Sequence, residues 1–141
     1  MKPKVILFLF AMVISAFAVN TPAQPAAQPA TDAQIQRGKY LVENVAMCAE
    51  CHTPKTDQGG YDRTQWLQGD VLDYKPVHAM PFAAVAPPIA GLPGFTDEKA
   101  LVFLETGIDL TSKPAMPPMP QYRFQHDDAL AVVAYLRSLK R

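Results

Sequence analysis

The sequence predicts an all-α fold in which three main helices are joined by long loops. Three segments carry the apolar period and the end signals of helices, and no segment shows the alternation typical of a strand. The 14 prolines among 141 residues favour long irregular stretches over a helix bundle. A chain of this length is sufficient for one domain with a small core.

The first predicted helix begins at Thr31, whose spacing to Gln34 suits a capping box. Gly38 interrupts this helix at a cost of about 1 kcal/mol relative to alanine, and such a glycine often permits another element to approach closely. The apolar positions of the helix follow with an imperfect 3.6-residue period: Ile35, Leu41, Val42 and Val45.

Two further helices are predicted after a long irregular segment. The second helix has Thr96 as its N-cap candidate and Gly107 as its stop. The third has the most regular apolar stripe, formed by Ala129, Val132, Val133, Leu136 and Leu139. About fifty irregular residues separate the first and second helices, which is unusual in a compact domain without something to wrap.

The amino terminus predicts an export signal followed by a linker. Lys2 and Lys4 precede an apolar run from Val5 to Val19, and Ala16-Phe17-Ala18 matches a cleavage site, so residues 1–18 are predicted to be a signal peptide. The alternative is an uncleaved membrane anchor, although the run of 15 residues falls short of the roughly 20 that span a bilayer. Residues 19–31 predict a flexible Pro/Ala/Gln linker, and residues 32–141 the folded domain. A periplasmic location is expected, with a membrane-anchored form facing the periplasm as the alternative.

The charge balance excludes one class of partner. Without residues 1–18 the chain has 11 basic and 13 acidic residues, so it lacks the basic excess that nucleic-acid binding requires. We therefore expect no nucleic-acid partner, and membrane contact only through an uncleaved N-terminal segment.

The residues that carry chemistry form one short motif. Cys48-Ala49-Glu50-Cys51-His52 has the C-x-x-C-H spacing of a c-type haem attachment site. Two thiols on one turn can each add to a vinyl group of the same porphyrin, and the adjacent imidazole of His52 can bind the iron. Three alternatives to a haem site fit the motif less well. A structural zinc site requires four ligands. A thioredoxin-like pair would follow a strand, and a plain disulfide would close a very small loop.

The sequence offers several candidates for the second axial ligand of such a haem. Beyond the motif the candidates are Met80, Met116, Met119, His78 and His126. The run Met-Pro-Pro-Met-Pro (116–120) stands out because prolines hold a thioether on a stiff, extended backbone. The alternative is that these methionines fill the core.

Six segments carry a family resemblance: RGKYLV (37–42), CAECHTPK (48–55), WLQG (66–69), APPIAGLPG (86–94), PPMPQYRF (117–124) and AVVAYLRSL (131–139). With them the sequence resembles class I, monohaem c-type cytochromes. It is most similar to the haem domains of cytochrome c subunits of membrane-bound alcohol and aldehyde dehydrogenases. The resemblance implies a cytochrome c-like all-α fold, with three main helices and long loops wrapped round one covalently attached haem c.

The resemblance also assigns roles. It implies that the first and last helices cross at Gly38 with Tyr135 packed on the crossing, and that the carbonyl of Pro87, with Pro88 as the alternative, orients His52. It favours Met119 over Met116 as the second axial ligand. The inserted stretch with Tyr61, Trp66 and Tyr74 is expected over the haem propionates, with the Trp66 indole either bound to a propionate or serving as an apolar anchor.

The implied function is one-electron transfer by a haem that Cys48 and Cys51 attach and that His52 and Met119 ligate. The protein is expected to be an electron carrier or an electron-transfer subunit of a dehydrogenase complex and not an enzyme. Its expected partners are a dehydrogenase, an oxidase or another cytochrome. Two alternatives remain: a haem c protein with an open sixth site acting as sensor or peroxidase, and a non-haem thiol redox module.

Overall fold

The computed structural model describes residues 29–139. The predicted signal peptide, the linker up to residue 28 and the last two residues lie outside this range. The helices are α1 (Asp32–Tyr40), α2 (Ala49–His52), α3 (Asp97–Thr106) and α4 (His126–Ser138). A π-helical turn (Leu41–Val45) extends α1, and a 3-10 turn covers Arg63–Gln65. The predicted all-α class and its three main helices, α1, α3 and α4, are thus confirmed.

The end signals of the main helices act as predicted. The Thr31 hydroxyl accepts a hydrogen bond from the Gln34 amide (3.2 Å), and Thr96 does the same for Lys99 (3.2 Å). Each bond satisfies an amide that has no partner within its helix. Gly107 ends α3 in the left-handed conformation (φ 66°), which glycine adopts without steric cost.

Helices α1 and α4 cross in direct backbone contact. A Cβ placed on Gly38 would lie 1.8 Å from the carbonyl oxygen of Ala131 and 2.8 Å from the Cβ of Tyr135. No side chain fits there, so the predicted close approach at Gly38 is confirmed. The core around this crossing includes the fully buried Val42 and Val132.

Helix α3 and the preceding loop are held to α4 by one arginine. The Arg137 guanidinium binds the carboxylate of Asp97 (2.8 Å) and the carbonyl oxygens of Gly91 (2.7 Å), Phe95 (2.6 Å) and Leu92 (3.3 Å). Arg137 lies in the last turn of α4, where a basic side chain is favourable near the negative end of the helix. Its long-range role depends on the fold.

The long segment between α2 and α3 has its own fixed points. The buried Leu67 donates its amide to the Thr53 hydroxyl (3.0 Å), and its carbonyl accepts from the amides of Ile89 and Ala90. Strand β1 (Asp70–Val71) pairs antiparallel with β2 (Val85–Ala86), a short ladder that the sequence did not predict. Within residues 29–139 no helix has the length and apolar character needed to cross a membrane.

Candidate functional site

Helix α2 carries the C-x-x-C-H motif on a single turn. The Cys48 amide donates to the Val42 carbonyl (3.0 Å), and the His52 amide donates to the Cys48 carbonyl (3.0 Å). The first bond joins the motif to the π-helical turn, and the second closes the turn of the motif itself. Cys48 and Cys51 are half-buried free thiols, so the disulfide alternative is not formed. Burial raises the pKa of the Cys48 thiol to about 11.

His52 is buried and has one ring nitrogen engaged. Its Nδ1 lies 2.7 Å from the carbonyl oxygen of Pro87, so the predicted contact with Pro87 is formed. An Nδ1 that donates to a carbonyl leaves Nε2 as the ligating nitrogen, the arrangement expected of a metal-bound imidazole. Burial lowers the pKa of His52, against the effect of the Pro87 hydrogen bond, and this favours the neutral ring that metals bind.

Two cavities meet at this histidine. The larger, about 1010 Å³ with the space at its mouth, is lined by both cysteines and by the segments around Ala86 and Met119. The smaller, about 720 Å³, lies against the apolar side chains of Phe103, Leu104 and Leu136. His52, Pro87 and Met119 line both cavities. This donor set in an apolar surround fits a haem attached through two thioethers.

The structure separates the candidate axial ligands. Met119 is partly buried and faces both cavities with His52, whereas Met116 lines only the larger cavity and is 53% exposed. Met80 and His78 line neither cavity. His126 begins α4 and binds the Glu105 carboxylate through Nδ1 (2.7 Å). Of the five candidates, only Met116 and Met119 thus share a cavity with His52, and Met119 shares both.

Tyr122 fixes the methionine segment to the motif. Its hydroxyl donates to the carbonyl oxygen of Ala46 (2.7 Å), two residues before Cys48, and its ring stacks on Phe124. Burial raises the pKa of Tyr122 to about 12. Tyr122 lies in the segment PPMPQYRF (117–124) that carries the family resemblance, but nothing in the sequence pointed to its distant acceptor.

Glu50 is the one Asp, Glu, Lys or Arg among the residues lining the larger cavity. The Tyr61 hydroxyl donates to it, and the Lys55 ammonium lies 3.8 Å away. The hydrogen bond to Glu50 raises the pKa of Tyr61 to about 12. Nothing in the sequence marked Glu50 as a site residue beyond its place inside the C-x-x-C-H motif.

Trp66 belongs to the helix crossing and not to the cavity. Its indole N–H donates to the Tyr135 hydroxyl (3.3 Å), which in turn donates to the Glu43 carboxylate (2.6 Å). Trp66 packs against the core and lines neither cavity. In this structure the Trp66 indole is engaged by Tyr135 at the helix crossing, and its packing against the core agrees with the apolar-anchor alternative. Tyr74 does lie beside the site, with its hydroxyl 3.8 Å from the Cys51 sulfur.

The fold and this site define a haem-binding protein of the cytochrome c class. The model of the cytochrome c family matches residues 35–140. The chain is 50% identical to a diheme cytochrome c-type protein of Cereibacter sphaeroides over 34 residues, which are 24% of this chain and 12% of that protein. It is 30% identical to the fructose dehydrogenase cytochrome subunit of Gluconobacter japonicus over 109 residues, covering 73% of this chain and 21% of that subunit.

The chain belongs to the cytochrome c family. It is a c-type cytochrome similar to dehydrogenase cytochrome subunits, and membership of this family supports haem-based electron transfer. The chain spans about a fifth of the length of the fructose dehydrogenase cytochrome subunit and about an eighth of the length of the diheme cytochrome c-type protein.

Proposed function

We propose that this protein is an exported, single-haem electron carrier in which His52 and Met119 are the axial ligands. The observation that carries the ligand assignment is that His52 and Met119 both line both cavities. When bound, the haem supplies one-electron chemistry, with iron cycling between the ferrous and ferric states. A thioether ligand and an apolar surround favour the ferrous state.

The chain's own residues hold and shield the haem. Cys48 and Cys51 attach it, the Pro87 carbonyl fixes the tautomer of His52, and Tyr122 ties the Met119 segment to the attachment turn. A single haem is supported by the cysteine count, because the sequence has two cysteines and one attachment site uses both. A filled sixth site leaves no position for a substrate, which favours a carrier over an enzyme.

The location and partners of the protein are part of the proposal. The predicted signal peptide supports a periplasmic location, either free or held by an uncleaved N-terminal anchor. The similarity to a fructose dehydrogenase cytochrome subunit supports a dehydrogenase as electron donor. An oxidase or another cytochrome would then accept the electron.

The test is the visible spectrum of protein exported from cells that attach haem c, recorded in the ferric and ferrous states. A sharp ferrous α band with the weak, near-red ferric band of methionine–iron bonding is expected. A ferrous spectrum that shifts on adding carbon monoxide would instead support the open-site sensor or peroxidase alternative. Purified protein without haem would contradict the proposal at its root.

A further inference from the structure

Two segments that line the larger cavity carry no charged side chain, while Glu50 of α2 lines the same cavity beside Lys55. Residues 76–96 and residues 114–122 contain no Asp, Glu, Lys or Arg. The two segments are joined by a hydrogen bond from the Ala83 amide to the Pro117 carbonyl (2.7 Å), and both contribute to the wall of the larger cavity. We call these two segments, residues 76–96 and 114–122, the uncharged frame. Such long segments without a charged residue are unusual, because charged residues are normally interspersed over a protein surface.

One loop projects from this frame. We define the docking loop as residues 74–82, which lie between β1 and β2. Its two ends pack together, since the Tyr74 and Phe82 rings meet edge to face at 5.8 Å. The Tyr74 hydroxyl also lies 3.8 Å from the sulfur of Cys51. The loop therefore stands directly beside one of the two sulfurs that attach the haem.

The tip of the docking loop exposes apolar side chains that remain in contact with water in the folded protein. Val77 is 94% exposed and Met80 is 50% exposed, and Val71 at the base of the loop is 68% exposed. None of the three lines either cavity, so their surface faces the outside of the molecule. Exposed apolar side chains on a loop whose first residue, Tyr74, reaches the site indicate a surface that another molecule covers.

We propose that the docking loop and the uncharged frame bind a redox partner whose own face is apolar and uncharged around its cofactor. The inference rests on the proposed electron-transfer function, which requires a partner to approach the haem closely. A charged partner face would lose its hydration here without meeting an opposite charge. Asp73 and Lys75 at the base of the loop have opposite charges, so together they favour neither a positively nor a negatively charged partner. Apolar contact then drives association, and salt changes it little.

Electron self-exchange between two copies of the protein tests the proposal without an identified partner. One electron passes from a ferrous to a ferric copy, so one is oxidised as the other is reduced, and no bond or proton is exchanged. The rate follows from the broadening of haem methyl resonances in half-reduced samples at pH 8. For the unaltered protein we expect a change of less than about twofold between low and high salt.

Charge placed at the tip should control this rate. We expect Val77→Asp and Val77→Lys each to slow self-exchange about tenfold at low salt, because like charges face each other in the encounter. A mixture of the two variants should recover the rate, since the charges are then opposite. Matched controls are Gln36→Asp and Gln36→Lys on the exposed surface of α1, which add the same charges away from the loop and should leave the rate unchanged.

Three results would overturn the proposal. One is a strong salt dependence of the unaltered protein, and another is a Val77→Asp rate equal to that of Gln36→Asp. The third is binding to uncharged phosphatidylcholine vesicles that Val77→Asp abolishes without slowing self-exchange, which would assign the loop to a membrane. An unaltered protein that has no measurable self-exchange would instead contradict the proposed function itself.

Discussion

The backbone of Gly38 touches the backbone of Ala131 where α1 crosses α4. A Cβ at Gly38 would lie 1.8 Å from the Ala131 carbonyl oxygen and 2.5 Å from its carbonyl carbon. Both obstacles are backbone atoms of a helix, so neither can move aside as the end of a side chain could. The separation of the two helices is thus set by the absence of a side chain at one position.

Gly38→Ala should therefore destabilise the protein strongly. The intrinsic helix preference favours alanine by about 1 kcal/mol, but the overlap with Ala131 should outweigh it and cost about 3 kcal/mol or more in net stability. Denaturant unfolding of the haem-loaded protein measures the change. The control is Gly60→Ala, where a Cβ would meet only the Thr56 hydroxyl, at 3.8 Å. A Gly38→Ala protein as stable as the Gly60→Ala protein would contradict the crossing described here.

Met119→Ala should remove the sixth iron ligand, because Met119 shares both cavities with His52. We expect loss of the near-red ferric band, carbon monoxide binding in the ferrous state and a lower reduction potential. Met116→Ala is the matched control and should retain the band. If the two variants behave in the opposite way, Met116 is the ligand.

Tyr135→Phe should destabilise the protein by about 1–3 kcal/mol at neutral pH, because the Trp66 indole loses its acceptor and the Glu43 carboxylate loses its donor. Thermal unfolding compared with that of Tyr40→Phe measures the effect, since Tyr40 is 51% exposed. Equal stability of the two variants would show that the Trp66–Tyr135–Glu43 bonds contribute nothing net.

The stability of the protein should also fall at alkaline pH because of Tyr135. Burial first, and then the hydrogen bond to Glu43, raise the pKa of this hydroxyl to about 12, from its ordinary value of 10.0. The folded state thus holds the proton that the unfolded state loses, so the stabilisation is complete below pH 10 and disappears as the pH approaches 12. Denaturant midpoints between pH 9 and 12 should fall less steeply for Tyr135→Phe. Parallel curves for the two proteins would refute this assignment.

Arg137→Gln should cost about 2–3 kcal/mol in stability, since the guanidinium binds Asp97 and the loop before α3 through charge-assisted hydrogen bonds. Denaturant unfolding provides the measurement. Arg123→Gln is the control, because Arg123 binds only near neighbours, Gln121 and Tyr122. A cost no greater than that of the control would mean that Arg137 does not anchor the loop.

Much of the fold could be predicted from residues that lie close together in the sequence. Thr31, Thr96 and Gly107 act within one or two turns of their own helix, so their neighbours in sequence are also their partners. Gly38 was predictable as a close-approach point because a glycine inside a helix has few other uses. The β1–β2 ladder was not, since two residues per strand are too few to show an alternating pattern.

The sequence by itself determined the chemistry of attachment, because Cys48, Cys51 and His52 act from one helical turn. The tertiary structure alone decided which distant residues share the site with that turn. It brought Met119 and the carbonyl of Pro87 to His52, directed the Trp66 indole to Tyr135 and placed the tip of the docking loop in solvent. The physical reason is that these partners are separated by tens of residues, and hydrogen bonding and burial depend on distances in space that no local spacing specifies.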